Sequence, residues 1–351
     1  MPDMQRMAIT LVLLIAFIVC GNRAACAAGV TDSAGRTVEV PDKISRVYAS
    51  GPPASVLLYA LAPETLIGWP RALRAEELPY VAEPYRKLPE VGRLTGRGGT
   101  ANLEVVIREK PDLIVDFGSV RDTYVSLADS VQKQTGIPYI LIDGRFEATP
   151  TALRTVGKVL GKAELAERQA RYAETLFRQL ETGLKDIPQE KRPRVYLARN
   201  ADGLESGSVG SINTEILERA GGRNVVGEVP GRRGLVQLTM ERILAADPEI
   251  IVTWDRNFYQ AVWKDPVWAN VTAVKNRRVY LSPTAPFGWI DRPPSLNRLM
   301  GLKWMAGILY PDRFGFDLAA ETRAFYELFY HVTLGDRELE QLLEWTRGTP
   351  P

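Results

Sequence analysis

Leu103-Glu104-Val105-Val106-Ile107-Arg108-Glu109-Lys110-Pro111-Asp112-Leu113-Ile114-Val115 lies over Met240-Glu241-Arg242-Ile243-Leu244-Ala245-Ala246-Asp247-Pro248-Glu249-Ile250-Ile251-Val252 at a constant offset of 137 residues. In both copies an acidic residue opens a short helical stretch, a proline follows seven positions later, and an apolar run then reads as a buried strand. The flanks repeat as well. Val47-Tyr48-Ala49 precedes the first copy as Val195-Tyr196-Leu197 precedes the second, and Pro138-Tyr139-Ile140-Leu141 and Arg278-Val279-Tyr280-Leu281 follow them. Continuous apolar strands alternating with helical stretches predict parallel sheets covered on both faces. The expected fold is therefore α/β, with two doubly wound lobes.

The length supports this division, because 351 residues exceed what a single hydrophobic core usually serves. Between the copies, Thr149-Pro150 offers a helix start, and Leu165, Tyr172, Leu176, Leu180 and Leu184 keep near-helical spacing as far as Asp186-Ile187-Pro188. The expectation is an N-terminal lobe over 29–148, one long connecting helix within 149–188 and a C-terminal lobe over 189–351. A net charge of +2, from 44 basic and 42 acidic residues, gives no sustained field for nucleic acid or a membrane surface.

Arg6, the apolar run from Ala8 to Gly21 and the small residues Ala24-Ala25-Cys26-Ala27-Ala28 read as a secretory signal occupying 1–28. The run is too short to span a bilayer. Cleavage after Ala27 or Ala28 removes both Cys20 and Cys26 and leaves a mature chain without a disulfide. A lipobox ending at Cys26 is the rival reading, against which Arg23 stands where an apolar residue is wanted.

In parallel α/β lobes, ligands bind beyond the carboxyl ends of the strands. Asp116, Phe117, Ser119 and Arg121 follow Val115, and Asp143 and Arg145 follow Leu141. In the second half Arg199 follows Leu197, Trp254 and Arg256 follow Val252, and Trp289 and Arg292 follow the strand around Leu281. Guanidinium groups grip oxyanions in bidentate fashion and aromatic rings add flat apolar contact, so these mouths suit an anionic ligand. Solvation or local pairing, for example with Asp255 or Asp291, is the competing account of each arginine. The loop Gly92-Arg93-Leu94-Thr95-Gly96-Arg97-Gly98-Gly99-Thr100 is a further candidate anion cradle. It lacks the lysine of a P-loop.

Asn102 and Thr239 stand where helix N-caps would, which places Glu104 and Glu241 in the first turns of equivalent helices. No catalytic constellation emerges: the one histidine, His331, lies in an aromatic helical stretch, and Ser206-Gly207-Ser208-Val209-Gly210 does not make a nucleophile elbow. The sequence offers no His/Cys cluster for a metal and no cofactor motif.

From about Val30 to Thr333 the chain resembles the periplasmic substrate-binding proteins of ABC importers for iron-siderophores, haem and cobalamin, the vitamin-B12-binding-like family. The segments that carry the resemblance are Val30-Thr31-Asp32-Ser33-Ala34-Gly35-Arg36, Asn102-Leu103-Glu104 with Lys110-Pro111-Asp112-Leu113-Ile114, Ala220-Gly221-Gly222-Arg223-Asn224-Val225, and Thr239-Met240-Glu241 with Asp247-Pro248-Glu249-Ile250-Ile251. The resemblance implies two lobes joined by a rigid helix, a ligand in the cleft, and one glutamate per lobe, Glu104 and Glu241, that pairs with arginines of the membrane permease; the expected protein is a monomer that delivers its ligand to a permease and ATPase pair. It also implies a periplasmic location. Trp289-Ile290-Asp291-Arg292-Pro293-Pro294-Ser295-Leu296-Asn297-Arg298 is similar to members described broadly as binders of iron complexes, a group that leaves room for other metal species or oxyanions, whereas the tryptophans at Trp254, Trp263 and Trp268 depart from the cobalamin binders.

The expected ligand is thus an iron(III)-siderophore or similar anionic metal chelate, held by Arg97, Arg121, Arg199, Trp254, Arg256, Trp289 and Arg292. A molybdate- or tungstate-type oxyanion is the alternative. Haem is a further one, with Tyr48 or Tyr259 as axial ligand, and an exported α/β enzyme is the remote one.

Overall fold

The computed structural model describes residues 28–96, 102–231, 234–344, 346 and 348. Of the expected signal segment 1–28, residues 1–27, with Cys20 and Cys26, lie outside the described residues, as does Arg97.

The first lobe opens with an antiparallel hairpin, β1 (Ala28–Thr31) and β2 (Thr37–Val40). Next come β3 (Val47–Ala49), α1 (Pro52–Leu61), α2 (Leu103–Glu109), β4 (Leu113–Gly118), α3 (Asp122–Thr135) and β5 (Tyr139–Asp143). The three later strands form a parallel sheet in the order β3-β4-β5. Successive side chains of a strand point to opposite faces. Leu113, Val115, Ile140 and Ile142 accordingly enter the core shared with α1, while Ile114, Tyr139 and Leu141 pack with Val106, Ala128 and Val131 on the other face. Burial on both faces is why these strands read as unbroken apolar runs.

The connection is not the single helix expected. It is a pair, α4 (Thr149–Val159) and α5 (Ala163–Leu184), folded against each other. The chain turns at Leu160-Gly161-Lys162, where Gly161 adopts φ +67, a left-handed geometry that glycine takes without steric cost. Close approach of the two helices needs Gly157, because a Cβ there would overlap that of Ala166. Arg154 ties the hairpin outside, bonding Glu167 at 2.7 Å and Glu174 at 2.6 Å.

The second lobe contains β6 (Arg194–Ala198), β7 (Glu205–Gly207), α6 (Glu215–Arg219), β8 (Arg223–Asn224), β9 (Leu235–Gln237), α7 (Met240–Ala246), β10 (Ile250–Thr253), α8 (Arg256–Ala261), α9 (Thr272–Lys275) and β11 (Val279–Leu281). Its parallel sheet runs β11-β10-β6-β8, and β7 pairs with β9. The repeat has its counterpart residue for residue: α2 and α7, and the starts of β4 and β10, keep the 137-residue offset. Asn102 accepts from the Val105 amide at 2.9 Å and Thr239 from that of Arg242 at 3.4 Å, the capping the sequence predicts.

After β11 the chain makes α10 (Arg298–Leu309), α11 (Leu318–Tyr330) and α12 (Asp336–Leu343). The last two depart from the expected boundary, because they cross back to the first lobe. The Tyr59 hydroxyl donates to the Tyr330 carbonyl at 2.5 Å and Tyr80 to that of Glu338 at 2.9 Å. One apolar core therefore runs through both lobes, from Val47 on β3 to Val252 on β10. It gives them a shared foundation rather than a loose linker.

Candidate functional site

Because strands in both sheets are parallel, their carboxyl ends open on one interlobe cleft of about 1250 Å³. β4 and the turn after it supply Asp116, Phe117, Ser119 and Arg121, the first turn of α3 supplies Tyr124, and Asp143 closes β5 with Arg145 two residues beyond. Across the gap stand Arg199 beyond β6, Trp254 beyond β10, and Asp291 and Arg292 in the segment after β11. The cradle loop contributes Arg93, Thr95 and Gly96.

Of the residues expected to hold the ligand, Arg121, Arg199, Trp254 and Arg292 thus share the cleft. Trp289 does not. It is 0% exposed, packs on Trp304 at 6.5 Å between ring centroids, and donates its indole N–H to the Tyr326 hydroxyl at 3.3 Å. The segment after β11 turns inward at this point, so its tryptophan fills the core instead of facing ligand. Arg256 opens α8 on the exposed surface and is not among the cleft residues. The haem candidates are also misplaced. Tyr48 and Tyr259 are buried in the cores of their lobes, where Tyr48 donates to the Val91 carbonyl at 3.0 Å.

The arginines differ in their commitments. Arg199 is clamped by Glu205 at 3.0 Å and by Asp291, both buried carboxylates. Arg145 is held by Asp143 at 2.6 Å and Glu147 at 3.3 Å. Arg121 donates only to the Ser119 hydroxyl at 3.0 Å and makes no ion pair among the described residues. Arg292 lies over the Trp254 ring at 4.4 Å, with Arg199 at 5.5 Å from the same ring, and likewise has no ion pair among the described residues. Burial, together with the positive charges of Arg74 and Arg71, lowers the pKa of Arg292. Guanidinium remains protonated through such shifts, so the site keeps a charge in search of a counter-ion. Asp116 does little to supply it. Burial pushes its carboxyl above the usual range, and the hydroxyls of Tyr139 and Thr95 lie 3.3 and 3.4 Å from its oxygens.

The floor of the cleft joins the lobes through Arg298, which is 1% exposed. Its guanidinium donates to the Gly144 carbonyl of the first lobe at 2.7 Å, and to the Ile212 carbonyl at 2.8 Å and Glu215 at 3.1 Å in the second. Glu215 in turn accepts from the Phe146 amide at 2.8 Å, and the Phe146 ring lies 4.3 Å from the guanidinium. A buried charge held from both sides fixes the angle between the lobes.

Trp69, Arg71 and Phe287 also line the cleft and escape the sequence reading. They sit in irregular segments, where no strand end marks them. The only local signal is the turn-forming Gly68-Trp69-Pro70 ahead of Arg71.

Known proteins share this architecture. A family model described as periplasmic binding protein matches residues 63–286. The molybdate-binding protein MolA of Haemophilus influenzae is 25% identical over 335 residues, covering 87% of this chain and 91% of its own. The ferric enterobactin-binding periplasmic protein FepB of Escherichia coli O6:H1 is 26% identical over 201 residues, covering 54% of this chain and 62% of its own. Among solved structures, an ABC transporter solute binding protein from Sulfurospirillum deleyianum superposes with a TM-score of 0.82 at 30% identity, covering 90% of this chain and 99% of its own. The chain belongs to the periplasmic binding protein family, as an extracytoplasmic substrate-binding component of an ABC transporter and not an enzyme.

Proposed function

We propose that the cleft captures an anionic iron(III) chelate of the siderophore type and presents it to the permease. The observation that carries this reading is the pairing of two uncommitted cations, Arg121 and Arg292, with broad apolar walls: Trp254, Trp69, Phe117, Phe287 and the prolines at 52, 53, 293 and 294. An organic ligand shell has use for such walls, and its oxygens for the arginines. Arg199 contributes by holding Asp291 and facing Trp254, and Arg97 belongs to the proposed set through its loop.

A bare oxyanion such as molybdate is the second reading. It is supported by the similarity to the Haemophilus molybdate-binding protein along 87% of the chain. Tryptophan fluorescence distinguishes the two, because Trp254 reports from the cleft wall. Saturable quenching by ferric siderophores or ferric citrate, with no response to molybdate, is the expected result. The reverse pattern replaces the first reading by the second.

Docking on the permease is assigned to Glu104 and Glu241, each exposed in the first turn of an equivalent helix. The protein acts there as a monomer, after removal of residues 1–28 and without acylation of Cys26.

A further inference from the structure

A second pair of cations, Arg71 and Arg74, lies outside the residues that follow the strands, and Arg71 lines the cleft. Glu77 is fully buried, and its carboxylate is saturated by two arginines. Arg71 grips it in bidentate fashion at 2.9 and 2.6 Å. Arg74 donates its backbone amide at 2.8 Å, Nε at 3.0 Å and Nη2 at 2.8 Å. Glu76, at 3.2 Å from Arg74, is an exposed further partner. A buried carboxylate with this many donors fixes both side chains in place, so little rotamer entropy remains to be lost when a ligand arrives.

The segment that carries Arg71 meets the segment that carries Arg292. Trp69, two residues before Arg71, lies 6.0 Å from Phe287, five residues before Arg292. Both arginines line the cleft. Arg292 is held on its other side by the Trp254 ring. Burial and the like charges of Arg74 and Arg71 depress its pKa, with Asp255 and Glu77 opposing. Arg71 and Arg292 thus line the same cleft on segments that meet at Trp69 and Phe287, and Glu77 is a buried counter-charge to Arg71 and Arg74.

We propose that Arg71 and Arg292 form one oxyanion subsite in the cleft, with Arg74 and Glu77 as positioning residues, and that it takes a free carboxylate carried by the ligand's organic shell. The inference rests on the cleft reading above and adds Arg71, which follows no strand, as the partner of Arg292 in holding one ligand group. An anion placed between the two guanidinium groups relieves their repulsion and links the segment at 69–77 to the segment at 285–292.

The test is calorimetric titration of the mature chain with ferric citrate, ferric enterobactin and molybdate, for the wild type, Arg71→Gln, Arg292→Gln, the double variant and Arg71→Lys, with circular dichroism to confirm folding. Ferric citrate affinity should fall about tenfold in each single glutamine variant. The double variant should lose less than the product of the two, because both arginines touch one group. Arg71→Lys, which keeps the charge and loses the bidentate fork, should fall between wild type and Arg71→Gln. Unchanged ferric citrate affinity in Arg71→Gln overturns the subsite and leaves the cleft reading standing. So do losses that multiply fully and vanish at about 0.5 M salt, where long-range attraction is screened. A wild type that binds none of the three probes overturns both.

Discussion

Replacing Arg298 by leucine takes the clasp out of the cleft floor while keeping an apolar stem against Phe146. Four acceptors lose their donor: the Gly144 carbonyl, the Ile212 carbonyl, Glu215 and, at 3.4 Å, the Ser295 carbonyl. A buried acceptor left unsatisfied costs roughly 1–3 kcal/mol. Glu215 retains the Phe146 amide and is 19% exposed, so water recovers part of its loss. Removing one partner of a buried pair costs roughly 3–5 kcal/mol in general. The expected loss is therefore about 3–4 kcal/mol, large against the ~5–15 kcal/mol that typically stabilises a native protein. Urea unfolding followed by far-UV circular dichroism measures it from the shift in midpoint at unchanged slope. A loss below about 1 kcal/mol would refute the claim that Arg298 joins the lobes, since a surface-like contact has that magnitude.

Further outcomes follow from the same geometry. Glu104→Ala and Glu241→Ala should each leave ligand affinity unchanged while abolishing or strongly reducing uptake in cells, as measured with radiolabelled ligand; normal uptake in the double variant contradicts the docking assignment. Gly301→Ala should destabilise by about 2–3 kcal/mol, because the added Cβ runs into the Trp289 backbone carbonyl, which cannot swing aside; an unchanged melting temperature contradicts this. Burial lowers the pKa of His331, whose Nε2 lies 3.1 Å from the Tyr59 carbonyl. The unfolded chain then binds the extra proton first, so the stability this residue contributes is present above about pH 6.5 and falls as pH drops below that value. Comparing wild type with His331→Gln between pH 7.5 and pH 5 should show the wild type losing more on acidification; parallel losses contradict it.

The repeat made the lobes legible because its signals are local: a capping residue, an acid in the first turn, a proline and a β-rich run. Asn102 and Thr239 cap as read, and Leu113 and Ile250 begin strands at equivalent positions. The break at Gly161 was hidden because the leucine spacing from Leu165 onward is that of a helix on either account. Trp289 shows the limit of arguing from strand ends. Position after a strand locates a residue near the mouth but gives no direction, and here the chain turns the ring into the core. The return of α11 and α12 to the first lobe is set by contacts such as Tyr59 with Tyr330, 271 residues apart in the chain, for which no periodicity exists. The Arg71–Glu77 pair was invisible for a similar reason, since a buried carboxylate in an irregular segment looks like a solvated one in sequence.

The central claim is that an anionic metal species occupies the cleft between Arg121 and the Arg292–Trp254 pair. Anomalous diffraction from crystals of the mature protein grown with a ferric chelate or with molybdate locates the metal directly. One strong iron peak inside the cleft is expected with the ferric chelate, with ligand oxygens within hydrogen-bond distance of Arg121 or Arg292, and no molybdenum peak there with molybdate. A peak outside the cleft, or a cleft filled by a species that touches neither arginine, would contradict it.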